Sequence, residues 1–316
     1  MRIAILGVGS LGGVLAGSLA ESEADLVCVS RGRTAELLKS GLTLFTPEGS
    51  VEMMPGGRYL LIDSEKGPLN EDVRASCDVA IIVGKSGSTS SLSSIAEEIL
   101  SENGIALSIQ NGLGNAGIVA SRIGWERVLG GSTTHSAFRD GEGGVHWTGR
   151  GSILLGKMDG SEPSEVSSEF VTILDEAGLN PKWTTKIERE IWKKLMINVA
   201  INPICSITGI KNGALAESPD LWKIALEAMK EVESVAKSSG VDLGEIDNEE
   251  LLGAVVTSTA DNRVSMLQDL MAGRQTEIDD ICGVVVSKGE ELGVPTPRNK
   301  MLHALVRGIE MSRYLD

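Results

Sequence analysis

The sequence predicts an α/β chain: a doubly wound, mostly parallel sheet in the first half, then an all-helical second half. Three observations carry that expectation. Short apolar runs alternate with helix-period stretches up to about residue 181. A Gly-x-Gly-x-x-Gly cluster, Gly7-Val8-Gly9-Ser10-Leu11-Gly12, joins the first apolar run to the first helical one. From about Lys186 the pattern turns to long helical periodicity with few strand signals.

In chain order, residues 3–6 read as the first strand and 11–19 as the helix that follows it. Further strands are expected at 26–29, 79–83, 105–109 and 128–130, with another helix at 91–100. The stretch 141–156 is glycine-rich and polar around Val145-His146-Trp147 and apolar at 153–155, and reads as a hairpin-like extension of the sheet. Proline interrupts the pattern at Asn180-Pro181-Lys182, so the domains are expected at 1–181 and 182–316. In the second of them, 187–208, 219–239, 247–270 and 275–292 each show helical periodicity.

Composition narrows the function. The chain is 41% hydrophobic and 23% charged, as in ordinary globular proteins, and its 316 residues are enough for two domains. Aromatic residues make up 3%, too few for stacking platforms that hold single-stranded nucleic acid. A net charge of −15 argues against nucleic-acid and anionic-membrane partners. Cys28, Cys77, Cys205 and Cys282 form no CxxC or Cys/His ligand spacing, and His135, His146 and His303 are scattered, so reduced thiols and no metal site are expected. There is no run of eighteen apolar residues and no signal-peptide pattern, which makes the cytoplasm the expected compartment.

The glycine cluster follows a strand-like run and opens a helix-like one, the context that gives it meaning. Gly7 permits the tight turn, Gly9 lets the backbone approach a diphosphate, and Gly12 allows close helix–strand packing, while the helix N-terminus faces the negative charge. A dinucleotide cofactor is the implication. Where an NAD site usually places an acid, the second strand ends in Cys28-Val29-Ser30-Arg31-Gly32-Arg33. Arginine grips a 2′-phosphate, so NADP(H) is expected, with NADH as a poorer or alternative donor; solvated loop arginines are the plainer reading. Lys85 and Asn111 each follow a strand candidate, where a doubly wound sheet binds its ligands, although a surface lysine and an Asn-Gly turn would look the same.

One helical segment stands out. In Glu190-Ile191-Trp192-Lys193-Lys194-Leu195-Met196-Ile197-Asn198-Val199-Ala200-Ile201-Asn202-Pro203, the residues Lys194, Asn198 and Asn202 fall on one face at i, i+4 and i+8. The rest is almost wholly apolar. A helix apolar nearly all round is buried, so its polar stripe must satisfy other buried groups or line a wet cleft. A partly desolvated Lys194 would have its pKa drawn towards neutrality, the condition for a general acid that protonates a carbonyl oxygen. Lys193, off the stripe, fits a snorkelling surface lysine. A second constellation places Asn262, Ser265 and Asp269 at helical spacing, followed by Arg274-Gln275-Thr276-Glu277-Ile278-Asp279. Spacing does not separate Glu277 from Asp279 and Asp280.

Taken in order over nearly the whole chain, these motifs resemble the ketopantoate reductase (2-dehydropantoate 2-reductase) family. The resemblance runs through the glycine turn, Lys85, Gln110-Asn111-Gly112, Thr133-Thr134-His135, Trp192-Lys193-Lys194-Leu195 with Asn198 and Asn202-Pro203, and Asn212-Gly213. It ends in Asn262, Ser265-Met266-Leu267-Gln268-Asp269 and Thr276-Glu277-Ile278-Asp279. It implies a Rossmann-type domain followed by an all-α domain of the 6-phosphogluconate-dehydrogenase-like type. By the same resemblance Lys194 is the general acid and Glu277 the carboxylate that places substrate and lysine. Asn111, Asn198, Asn202, Asn212, Asn262 and Ser265 would bond the substrate. Gly7, Val8, Gly9, Ser10, Leu11, Gly12, Arg31, Lys85 and Asn111 would hold NADPH. The implied reaction reduces 2-dehydropantoate to (R)-pantoate, on the route to pantothenate and coenzyme A. The chain departs from the family at His135-Ser136-Ala137 and in the polar loop Ser86-Gly87-Ser88-Thr89-Ser90. Other readings remain: a reductase of another 2-oxo acid or an opine precursor, or a non-catalytic dinucleotide sensor. The apolar helices at 219–239 and 247–258 would serve a homodimer face or the domain core equally.

Overall fold

β1 (Arg2–Leu6) is followed by the glycine turn and α1 (Ser10–Leu19), and β2 (Asp25–Ser30) then runs parallel to β1 with Ile3 opposite Leu26. After α2 (Gly32–Leu38) come β3 (Leu42–Phe45), β4 (Val51–Met54) and β5 (Tyr59–Asp63). The second half of the sheet is built from β6 (Cys77–Ile82), α3 (Thr89–Ile99), β7 (Leu100–Ser108), α4 (Asn115–Ile123) and β8 (Val128–Thr133). β9 (Ser136–Arg139), β10 (Val145–Gly149), β11 (Ile153–Lys157), α5 (Glu165–Glu176) and β12 (Pro181–Trp183) complete this part. The computed structural model describes residues 1–66 and 69–312, so residues 313–316 of the expected helical domain lie outside it.

The strands form an eight-stranded sheet in the order β12-β11-β8-β7-β6-β1-β2-β5. From β8 to β5 all neighbours are parallel, and β11 is antiparallel to β8. Alternate residues of β1 enter two cores: Ile3 and Ile5 join α1 and α5 on one face, Ala4 and Leu6 join α3 and α4 on the other. Burial on both faces is why its sequence is continuously apolar. Strand order reverses between β1 and β6, the position at which open α/β sheets bind ligands.

A second, four-stranded sheet, β4-β3-β10-β9, packs against α1. Here the expectation for 141–156 needs correcting. Only β11 extends the main sheet; β10 pairs with β9 and β3 in the second one. The reason lies in its alternation: Val145 and Trp147 are buried while His146 and Thr148 are not, the pattern of a sheet with one covered face.

The remaining helices are α6 (Ile187–Thr208), α7 (Pro219–Ser238), α8 (Asn248–Ser258), α9 (Ser265–Met271), α10 (Val284–Leu292) and α11 (Pro297–Ser312), with one π turn, Asp279–Gly283, leading into α10. The single helix expected over 247–270 is two helices, and α11 was not anticipated. Pro297 suits the first turn of α11, and the Glu231 carboxylate on α7 accepts the main-chain N–H of Arg298 and Asn299 at 2.8 and 2.9 Å. Trp192, Leu195, Met196 and Val199 of α6 share a core with Ala225, Met229 and Val232 of α7. By chain contacts one compact unit is Met1–Gln110 with Gly114–Ile187 and the other is Asn111–Leu113 with Glu188–Asp316. β12 joins Pro181–Trp183 to the sheet, so the first unit runs past the 181/182 division expected from Pro181. All four cysteines are buried and unbridged, and no helix among the described residues is long and apolar enough to cross a membrane.

Candidate functional site

In the first unit the glycine turn sits at the strand-order reversal. Gly7 has φ of +100°, and a Cβ there would lie 2.5 Å from Gly84 Cα, so the turn after β1 and the chain leaving β6 touch backbone to backbone. A Cβ on Gly12 would come 2.3 Å from Gly7 O. The close strand–helix packing read from the motif is therefore present. A Cβ on Gly9 would meet nothing within 4 Å. The protein itself does not require glycine there, whereas the close approach of a diphosphate does. No side chain caps α1 and its first turn holds no acid, which leaves the first N–H groups, from Ser10 and Leu11, for an anion. Val8 is buried beneath them. The residues fit a dinucleotide.

Arg31 is exposed just beyond β2, with Nη2 3.4 Å from Ser88 Oγ. Arg33 instead donates to Gly141 O at 2.5 Å. The structure thus separates two arginines that look alike in sequence: one is committed to the β9–β10 turn, the other stands at the strand end. Lys85 is exposed in the chain leaving β6. Beneath it lies a buried polar network that sequence reasoning missed. Thr89 Oγ1 bonds Ser86 O and Asn115 Oδ1, and Gln110 Nε2 donates to Gly84 O and Thr89 Oγ1 at 2.7 and 2.9 Å. Ser86 and Thr89, read in sequence as a small polar loop, are parts of this network. His135 is structural: Nδ1 accepts from Gly151 N–H at 2.9 Å, so Nε2 carries the proton and donates to Leu179 O at 3.0 Å. Burial lowers its pKa.

In the second unit Lys194, Asn198 and Asn202 are half-buried on one face of α6, while Leu195, Met196, Val199 and Ala200 are buried on the others. Ser206 continues the stripe by a further turn; it is buried and its hydroxyl has no protein partner. Lys193 points elsewhere and pairs with Glu190 at 3.6 Å. Burial draws the Lys194 ammonium down from 10.5 to about 8, and the Glu277 carboxylate opposes that fall. Glu277 Oε2 accepts from Asn111 Nδ2 at 2.8 Å. This contact depends on Gly112, whose φ is +87° and whose Cβ would lie 2.3 Å from Asp280 O.

Three acids that spacing could not distinguish now differ. Glu277 faces Lys194 and Asn111. Asp279 is exposed and pairs with His303 and Arg307 of α11. Asp280 is half-buried, and burial with the charges of Glu277 and Asp279 raises its carboxyl to about 6. The segment bearing Glu277 is held from α11 by Glu310, which is 8% exposed and accepts Thr276 N–H at 2.7 Å.

Asn212 and Asn262 come together through main-chain bonds, Asn212 N–H to Asn262 O at 3.1 Å and Gly213 N–H to Ala260 O at 3.0 Å. Asn262 lies in the loop before α9, not on a helical face with Ser265, which is exposed at the start of that helix. The Asn212 side chain is buried; Nδ2 donates to Thr259 Oγ1 at 2.9 Å and Oδ1 has no partner in the protein.

Family comparison fits this arrangement. The family model "Ketopantoate reductase PanE/ApbA" matches residues 3–160, and "Ketopantoate reductase PanE/ApbA C terminal" matches residues 186–310. The chain belongs to the ketopantoate reductase family. Among curated relatives, the 2-dehydropantoate 2-reductase of Archaeoglobus fulgidus is 33% identical over 98% of both chains, and that of Pyrococcus horikoshii is 34% identical with the same coverage. As a family member the chain is a nicotinamide-dependent oxidoreductase. A ketopantoate reductase of Ralstonia eutropha JMP134 superposes with a TM-score of 0.87 at 26% identity, over 99% of this chain and 100% of that one. A D-mandelate dehydrogenase shares the fold at a TM-score of 0.88 and 23% identity, over 99% of both chains, so the ketopantoate reductase fold alone does not choose the substrate.

Proposed function

We propose that this chain reduces 2-dehydropantoate to (R)-pantoate with NADPH, Lys194 acting as general acid, on the route to pantothenate and coenzyme A. The observation that carries the reading is Lys194 itself: a half-buried ammonium drawn to about 8, with Glu277 opposing it, on a helix face shared with Asn198 and Asn202. A lysine titrating near neutrality can both hold a proton and release it within one turnover. Curated relatives named 2-dehydropantoate 2-reductase support the substrate.

When bound, NADPH supplies a hydride to the carbonyl carbon of the 2-oxo acid. As negative charge develops on the carbonyl oxygen, the Lys194 ammonium gives it a proton, and the product is the 2-hydroxy acid. Lysine regains its proton from solvent. Glu277, steadied by Asn111, keeps Lys194 charged until that step. Asn198 and Asn202 donate to the substrate's oxygens, with Asn212, Asn262 and Ser265 as further contacts. Arg31 meets the 2′-phosphate, and Lys85 and Asn111 approach the nicotinamide ribose.

The test is NADPH oxidation across a panel of 2-oxo acids, repeated with Lys194→Ala. Turnover with ketopantoate that the variant loses is the expected result. No turnover of ketopantoate beside ready turnover of another 2-oxo acid would replace the substrate, and an unaffected Lys194→Ala would remove the general acid.

A further inference from the structure

We infer that Arg139, on β9 of the second sheet, is a positioning residue for the dinucleotide: it fixes the carbonyls of the glycine turn and stands beneath that turn as counter-charge to the diphosphate. The inference rests on the reading that this chain binds a nicotinamide dinucleotide.

The geometry is specific. Arg139 Nη2 donates to Val8 O at 3.0 Å and to Gly9 O at 3.3 Å, and Nη1 donates to Gly143 O at 2.7 Å. Gly9 O also accepts Gly13 N–H at 2.9 Å. Across a trans peptide the C=O and the following N–H point in opposite directions. Drawing Gly9 O back towards Arg139 and Gly13 therefore turns the Ser10 N–H the other way, outward from the start of α1. The turn's negative ends are held behind it and its donors are presented in front. Glycine at 13 makes room, since a Cβ there would lie 3.3 Å from Arg139 Nη2 and 2.6 Å from Val145 Cγ2.

The charge is equally specific. Arg139 is half-buried, and burial works against its charged form. Among the described residues it forms no ion pair, in a chain whose net charge is −15. Its neighbour Asp140 favours the charge through space but bonds elsewhere, accepting from Glu142 N–H, Gly144 N–H and His146 Nε2. The buried Arg139 Nε has no partner at all. The hydrogen bonds of Arg139 go only to carbonyls and the nearby Asp140 charge offsets its burial only in part, so a further anion beside it is stabilising. The group that the turn admits at this place carries two phosphates. Arg33, bonded to Gly141 O, ties the same β9–β10 turn to the start of α2.

Full-length wild type, Arg139→Gln and Arg139→Lys would be titrated with NADPH, ADP-ribose and 2′-AMP at fixed ionic strength, with Tm measured for each. Gln keeps a donor and removes the charge; Lys keeps the charge. The expected result for Arg139→Gln is a Kd for NADPH and ADP-ribose about tenfold higher, with 2′-AMP unchanged. Arg139→Lys is expected to stay within about threefold of wild type. Unchanged NADPH and ADP-ribose binding by Arg139→Gln overturns the inference, as does equal weakening of all three ligands, the mark of a merely structural role. If Arg139→Gln does not fold, Arg139→Lys decides: tenfold weaker binding of NADPH and ADP-ribose by this charged variant overturns the counter-charge. Failure of the dinucleotide reading shows separately, in wild-type protein that binds none of the three.

Discussion

Replacing Glu277 by Gln removes the negative charge that holds the Lys194 ammonium up. In the wild type the Lys194 ammonium titrates near pH 8, so if it is the general acid proposed above, kcat/KM should fall as pH rises through that value. An opposing charge in close range shifts a pKa by about one to three units; taking the low end, Glu277→Gln moves the limb from about 8 to about 7. At pH 7 the protonated fraction then drops from about 0.9 to about 0.5, less than a twofold loss. At pH 8.5 it drops from about 0.24 to about 0.03, roughly eightfold. The variant should therefore look nearly wild type in titration terms at pH 6 and badly impaired at pH 8.5. The assay is kcat/KM for ketopantoate with NADPH from pH 5.5 to 9.5. The plateau reports any loss of substrate placement, and the midpoint reports the lysine. A midpoint that stays near 8, or moves up, refutes the electrostatic role of Glu277.

Three further outcomes follow from the same geometry. The Asp280 carboxyl is raised from 3.8 to about 6, so the folded protein binds the extra proton in that window and stability is lost as pH rises through it. Asp280→Asn should then be more stable than wild type by about 1–2 kcal/mol at pH 7.5, with the gap closing at pH 4; equal urea midpoints at pH 7.5 would contradict this. Thr89→Val keeps the shape of a fully buried residue but strips the hydroxyl shared by Gln110, Asn115 and Ser86 O. It should cost about 1–3 kcal/mol in urea denaturation and loosen the loop that bears Lys85. Arg31→Ala should raise KM for NADPH about tenfold more than KM for NADH, since a charge-assisted phosphate contact is lost from one donor only. Equal changes would exclude a 2′-phosphate contact.

Much of the fold was legible because it rests on local rules. The apolar runs of β1, β2 and β6 read as buried strands, and the glycine turn announced its own geometry. β10 lies in the second sheet instead of the first; half-buried alternation identifies a strand without saying which sheet it joins. The apolar period over 247–270 runs on through the loop before α9, where Asn212 and Asn262 pair through main-chain bonds, so periodicity does not mark the break. α11 went unseen, although Pro297 at its first turn was a usable signal.

The sequence by itself determined the dinucleotide turn and the Lys194–Asn198–Asn202 stripe, because one is a short contiguous motif and the other a periodicity within one helix. Spacing left Arg31 and Arg33 equivalent, and Glu277 no different from Asp279 and Asp280; only the family resemblance set Arg31 and Glu277 apart. Tertiary structure decided those cases. Asn111 and Glu277 are 166 residues apart and meet at 2.8 Å; Arg139 reaches Val8 across 131 residues. Burial and opposing charge, which set the Lys194 pKa, are properties of what packs around a side chain. No local spacing encodes them, and so physical grounds for setting Glu277 and Arg139 apart from their neighbours came only with the folded chain.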